Sequence, residues 1–144
     1  MCQVEDPQKV AEHLVESHAD DDWWLDRFAR AFDAARGGDS LSRILRVWGL
    51  SQAEFGSMLG VSRQAIGKWM KGSIPGDRLV LVGDLAAATD LLVHHLKADR
   101  IAGVVRRKAD ALAGQSLVDM VSLDGAGDVL AAVRAMFDVQ RIHA

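Results

Sequence analysis

Apolar residues recur at intervals of three and four along nearly the whole chain, and no stretch alternates apolar and polar residues with a period of two. That pattern, interrupted by only two prolines, predicts an all-α protein. A first helix is expected from about Pro7 to His18. A second, from Asp22 to Ala35, presents Trp23, Trp24, Leu25, Phe28, Ala31 and Phe32 as its apolar face. Asp20, Asp21 and Asp22 suit the positive end of its dipole, and Gly37-Gly38 is expected to end it. Neighbours on a helix project about 100° apart, so Trp23 and Trp24 cannot both point inward. After a short helical stretch, LSRILRVWG, and the Pro75-Gly76 break, Asp77 is placed to cap a long helix to about Ala98. This helix carries more apolar positions than one face holds. Val82, Ala86, Thr89, Val93 and Leu96 form one stripe, and Leu81, Leu85, Ala88 and Leu92 form another beside it. It needs cover on two sides, at the centre of a monomer or at the seam of a dimer.

The run Leu50 to Gly72, LSQAEFGSMLGVSRQAIGKWMKG, spells two short helices around a tight turn. Ser51 is an N-cap whose hydroxyl can accept from an otherwise orphaned backbone N–H, and Glu54, three residues on, is placed to reach back to the cap's own N–H. Leu50 and Phe55 have the spacing of a hydrophobic staple. Gly60 stops the helix by entering a left-handed conformation without a Cβ clash, and Ser62 caps a second helix to about Lys71. Phe55, Met58, Leu59, Val61, Ile66 and Trp69 point into the crevice between the two helices, with Gly56 allowing their backbones to approach. The other face of the second helix is Arg63, Gln64, Gly67, Lys68 and Lys71. Arg and Lys can donate to guanine O6 and N7, Gln can pair bidentately with adenine, and cations neutralise phosphates.

These residues resemble the helix-turn-helix of the Cro/repressor class, the Xre family, whose consensus runs Leu-Thr/Ser-Gln, five residues, Leu-Gly-Val-Ser, then an Ile and a Trp. The resemblance implies a lambda-repressor-like bundle that binds operator DNA. Gln52 would touch a phosphate, Arg63, Gln64 and Lys68 would face base edges, and Ser62 and Lys71 would contact the DNA backbone. Met70 stands where many relatives carry an acidic residue. Proteins of this class usually pair on two half-sites, which favours a homodimer.

In the C-terminal quarter, Ser116 and Asp119 have capping-box spacing, and Asp124 to Asp128 opens a last helix with Val129, Leu130, Val133, Met136 and Phe137 on one side. The order Leu-x-Gly-x-Ser-Leu-x-Asp-Met, a Gly-containing loop, then Val-Leu-x-x-Val resembles the toxin-binding domain at the C-terminus of MbcA/ParS/Xre antitoxins. The resemblance spans about Ala109 to Phe137. Two positions often held by proline in that family are different here, Ala109-Asp110-Ala111 standing before the Leu-x-Gly element and Leu117 within it. The resemblance implies contact with a RES-type, NAD-degrading toxin through Leu112, Gly114, Ser116, Leu117, Asp119, Phe137 and Arg141. It also implies that removing residues from about Ala109 onward frees the toxin and leaves DNA binding partly intact.

Charge sharpens the division of the chain. The net charge is only −3, yet residues 1 to 40 hold 4 basic and 10 acidic side chains, residues 41 to 72 hold 5 and 1, and residues 73 to 144 hold 8 and 9. The only positive block is the helix-turn-helix. Arg43 and Arg46, just before it, either add phosphate contacts or sit in solvent. Four segments follow: an acidic helical extension (1–40), the DNA-binding region (41–76), a connecting or dimerisation helix (77–98) and a C-terminal helical domain (99–144).

Other chemistries find no support. A single cysteine, Cys2, excludes an internal disulfide or a cysteine metal cluster and fits a reducing cytosol. The first thirty residues are charged throughout, unlike a secretion signal, and Asp84 and Asp90 interrupt the longest apolar stretch, so a cytoplasmic chain without a membrane span is expected. His94 and His95 are adjacent, whereas two ligands of one metal on a helix want a spacing of three or four; His13 and His18 are five apart, and His143 near the end adds no histidine pair at that spacing. With no Gly-rich phosphate loop and no activated serine or cysteine, neither a cofactor nor an enzymatic activity is expected. The sequence thus reads as an antitoxin and autorepressor, the alternative being a stand-alone Xre-family repressor whose C-terminal region dimerises or senses a ligand.

Overall fold

A computed structural model describes the backbone of residues 5–122 and 125–142, with side chains as far as residue 138. Cys2, Asp124, the side chain of Arg141 and His143 lie outside the described residues. Eight α-helices account for most of these residues: α1 (Pro7–His18), α2 (Asp22–Trp48), α3 (Gln52–Leu59), α4 (Arg63–Met70), α5 (Leu79–His95), α6 (Ala98–Arg106), α7 (Leu117–Met120) and α8 (Ala126–Ile142). Short 3-10 turns lie at Gly76–Arg78 and Asp110–Leu112, and no strand occurs among the described residues. The fold is all-α. It divides into two compact units, Met1–Asp33 and Ala34–Ala144.

The first unit is a helical hairpin of α1 and the start of α2. Asp6 caps α1 by accepting from the Gln8 N–H at 3.0 Å, with Pro7 in the first turn where its missing N–H costs nothing. Asp21 accepts from the Trp24 N–H at 3.0 Å and so tethers the first turn of α2. The two tryptophans part ways as adjacent helical positions must. Trp24 stacks on His18 at 3.4 Å and on Phe28 at 5.3 Å, while Trp23 is 66% exposed with the Arg27 guanidinium 5.0 Å from its ring centre. No residue of α1 is buried.

Gly37-Gly38 does not end α2, which continues to Trp48. Both glycines are buried, and a Cβ on Gly38 would lie 2.8 Å from the Met70 carbonyl oxygen and 3.0 Å from the Gly72 nitrogen. A Cβ on Gly37 would meet Ile74 at 2.8 Å. The pair therefore serves close approach by the chain that follows α4, and left-handed backbone is not required of it.

In the second unit, the C-terminal half of α2 buries Leu41, Ile44, Leu45 and Trp48. The two stripes of α5 are covered within a single chain. Leu81, Val82, Leu85, Ala88, Thr89 and Leu92 are buried, and α8 packs along α5 with Val129, Leu130, Val133 and Phe137. Val93, read as part of a stripe, is exposed. Asp77 lies in the 3-10 turn and caps nothing, and α5 ends at His95 with Leu96 extended. Beyond that break α6 buries Ile101 and Val105 fully in the core. The segments read as 41–76, 77–98 and 99–144 share this one unit.

Candidate nucleic-acid interface

Local chemistry specifies the α3–turn–α4 corner. The Ser51 hydroxyl accepts from the Glu54 N–H at 3.0 Å, and Leu50 and Phe55 on either side of the cap are both buried. Glu54 does not close a capping box. Its carboxylate accepts from Arg106 at 3.1 Å, and the same Arg106 nitrogen donates to the Gly49 carbonyl at 2.7 Å. Sequence reasoning missed Arg106, because a partner 52 residues away leaves no local signal.

At the other end of α3, Gly60 is left-handed with φ 70°, its N–H donates to Ser57 O, and the Val61 N–H reaches back to Gly56 O at 2.9 Å. This Schellman pairing satisfies two carbonyls that the helix end would otherwise leave unmade. A Cβ on Gly56 would sit 2.7 Å from Val61 O, so a bare backbone is needed where the turn folds over α3. Ser62 then caps α4 by accepting from the Ala65 N–H at 3.1 Å. Phe55, Leu59, Ile66 and Trp69 are buried between the helices, with Met58 and Val61 packed at the edge of the same cluster.

With Ile66 and Trp69 turned inward, helical geometry turns Arg63, Gln64 and Lys68 outward, and all three are exposed, as are Ser62 and Lys71. Gln52, half-buried at the start of α3, joins Arg63, Gln64, Gly67, Lys68 and Lys71 around one shallow depression of about 370 Å³. Arg63, Lys68 and Lys71 form no ion pair among the described residues, so their charge is presented to solvent. The exposed face of α4 has the form and donor set that a DNA major groove accepts.

The two arginines ahead of the corner separate. Arg43 pairs with Asp90 of α5, whereas Arg46 is exposed and lines a neighbouring depression with Ser51, Gln52 and Arg63. Three residues apart on one helix, they were indistinguishable by spacing.

In the C-terminal part, the Ser116–Asp119 capping box is complete, each partner accepting from the other's N–H at 3.0 Å. The Ser116 backbone N–H first, then the Ser116 hydroxyl, and last the nearby Lys108 hold the Asp119 carboxyl below its ordinary value of 3.8. Ser116, Leu117 and Phe137 are buried, Phe137 stacking on His95 at 4.1 Å. Leu112 is half-buried, and Gly114 and Asp119 are exposed. Gly114, with φ 80°, lies in a loop closed by pairing of Ala109 with Gln115. His94 meets His95 edge-on, and no group of three or more His, Cys, Asp or Glu among the described residues is arranged to hold a metal. No helix among them is long and apolar enough to cross a membrane.

Comparison of the whole chain with curated proteins and with solved structures returned no match. Residues 49–81 match a family model described as helix-turn-helix, covering α3, the turn, α4 and the start of α5, and this match supports DNA binding. The chain therefore carries a helix-turn-helix domain over residues 49–81.

Proposed function

We propose that this protein is a sequence-specific transcriptional regulator that inserts α4 into the major groove of operator DNA. One observation carries the reading: four polar or cationic side chains of α4 and its C-cap, together with Gln52, surround a single exposed depression while the opposite face of α4 is locked into the core. Arg63, Gln64 and Lys68 read base edges; Gln52, Ser62 and Lys71 hold phosphates. Ser62 can do so although it caps α4, since its hydroxyl accepts from Ala65 and keeps a proton to donate. Two copies of the chain, bound to half-sites about one DNA turn apart, would read an operator palindrome in the cytoplasm.

Selection of binding sites from random duplexes, followed by affinity measurement with Arg63→Ala, tests the reading. The variant should lose ~1–3 kcal/mol at one base pair and relax specificity there. Wild-type affinity on every site would refute the role of α4.

An antitoxin function adds a second surface. It rests on the resemblance of Ala109–Phe137 to the MbcA/ParS/Xre toxin-binding domain, and the complete capping box at Ser116 is in keeping with that pattern. Among the described side chains of the set, Gly114 and Asp119 are exposed and Leu112 is half-buried, while Leu117 and Phe137 support it from the core. Truncation from Ala109 is a poor test, because α8 covers α5 and its removal would expose Leu85 and Leu92. Co-expression with the neighbouring gene is the better one: a RES-type partner should be retained by the full chain and released by Asp119→Arg. Recovery of the chain alone would favour the stand-alone repressor.

A further inference from the structure

We propose that the α1–α2 hairpin is a docking site for a basic amphipathic helix of another protein, formed by residues other than those assigned to DNA and independent of that assignment. Ten apolar residues line a groove of about 550 Å³ within this unit, among them Val10, Leu14, Val15, Trp24, Phe28 and Phe32. Its floor carries a ladder of stacked rings, His18 on Trp24, Trp24 on Phe28 and Phe28 on Phe32. Even so, Val15 is 58% exposed, Phe32 51% and Phe28 40%. Contiguous apolar surface of this kind, on a hairpin whose first helix buries nothing, marks an interaction site.

The shape of the groove selects a helix. Both walls are helices whose backbone groups are already paired along their length, so an extended peptide would find no N–H or C=O to add to, whereas a third helix can lay an apolar stripe between the ridges of the first two.

Charge selects the kind of helix. Residues 5 to 33 hold 9 acidic and 3 basic side chains. Two of those three cations are already engaged within α2, Arg30 with Asp26 at 3.1 Å and Arg27 over the Trp23 ring. The field around the groove is therefore negative. A second copy of the hairpin would bring the same negative charge against it, which opposes self-pairing, while a lysine- or arginine-faced helix is attracted and steered in.

The test uses the full chain and two labelled synthetic helices with the same leucine stripe, one with lysines on its polar face and one with glutamates, read by fluorescence anisotropy at two salt concentrations. The lysine peptide should bind, about tenfold or more tighter than the glutamate peptide, and weaken with salt. Phe28→Ser should abolish that binding, with its helix content checked by circular dichroism. A second variant, Glu12→Lys with Glu16→Lys, leaves the apolar lining untouched and should weaken the lysine peptide severalfold while flattening its salt dependence. Equal binding of the two peptides, undiminished binding to Phe28→Ser, or unchanged affinity in the charge variant would each overturn the proposal. So would sedimentation showing a dimer that Phe28→Ser dissociates while neither peptide binds, since the occupant would then be a second copy.

Discussion

The indole N–H of Trp48 donates to the hydroxyl of Thr89 at 2.9 Å, and that hydroxyl in turn donates to the carbonyl of Leu85 at 2.7 Å. Both residues are buried, 1% and 0% exposed, and the bond ties the end of α2, immediately before the helix-turn-helix, to the middle of α5. Thr89 looks like one more small residue in an apolar stripe, yet among the described residues it is the acceptor for the buried Trp48 indole. Thr89→Val keeps the shape and removes the acceptor. It should cost ~1–3 kcal/mol in urea unfolding, as an unsatisfied buried donor does, and Thr89→Ser should cost less.

Two glycines on helices should respond to alanine with opposite signs. Gly38→Ala pushes a methyl against the Met70 carbonyl and the Gly72 nitrogen, backbone atoms that can yield only by displacing the end of α4, so a loss of ~1–3 kcal/mol is expected. Gly83 is exposed in the interior of α5 with nothing within 4 Å of an added Cβ. Gly83→Ala should gain ~0.5–1 kcal/mol from backbone entropy alone. Thermal melts of the two variants measure both.

Lys71 and Gln64 flank the same depression but are assigned different work on DNA. Lys71→Ala should weaken binding to all sequences alike and reduce the salt slope by about 1, as loss of one phosphate contact does. Gln64→Ala should leave the slope intact and lose ~1–3 kcal/mol of discrimination at one base pair. Titrations on matched and single-substituted operators at several salt concentrations separate the two.

The depressed Asp119 carboxyl gives an acid signature. Because its folded value lies below the ordinary 3.8, the charged form is favoured in the fold; that stability is fully present above the ordinary value and is lost as pH falls through the lower, folded one. Asp119→Asn should therefore be less stable than the wild type near neutrality, and the difference should shrink below about pH 4. Stability curves against pH for the two proteins, run at one ionic strength, provide the check.

Much of the α3–turn–α4 corner was legible because every signal it uses is local. The Ser51 and Ser62 caps, the Leu50–Phe55 staple and the left-handed Gly60 each act over five residues or fewer, and the inward turn of Ile66 and Trp69 follows from helical periodicity. The same holds for the Ser116–Asp119 box and for both ends of α1. Local grammar misled where a residue answered to something distant. Gly37-Gly38 reads as a helix end until the chain beyond Met70 is seen pressing on it, and Glu54 reads as half of a capping box until Arg106 reaches it from α6.

From the residues alone came the helical class, the register of the exposed side chains of α4 and the acidic, aromatic character of the N-terminal hairpin, since propensity, capping and period are properties of short windows. Tertiary packing alone settled that α5 is covered by α8 of its own chain and tied to α2 through Trp48 and Thr89, that Arg43 is held by Asp90 while Arg46 stays exposed, and that Leu117 and Phe137 are buried. Those outcomes depend on which surfaces meet across dozens of residues, and a helical pattern records only that a face is apolar, never what covers it.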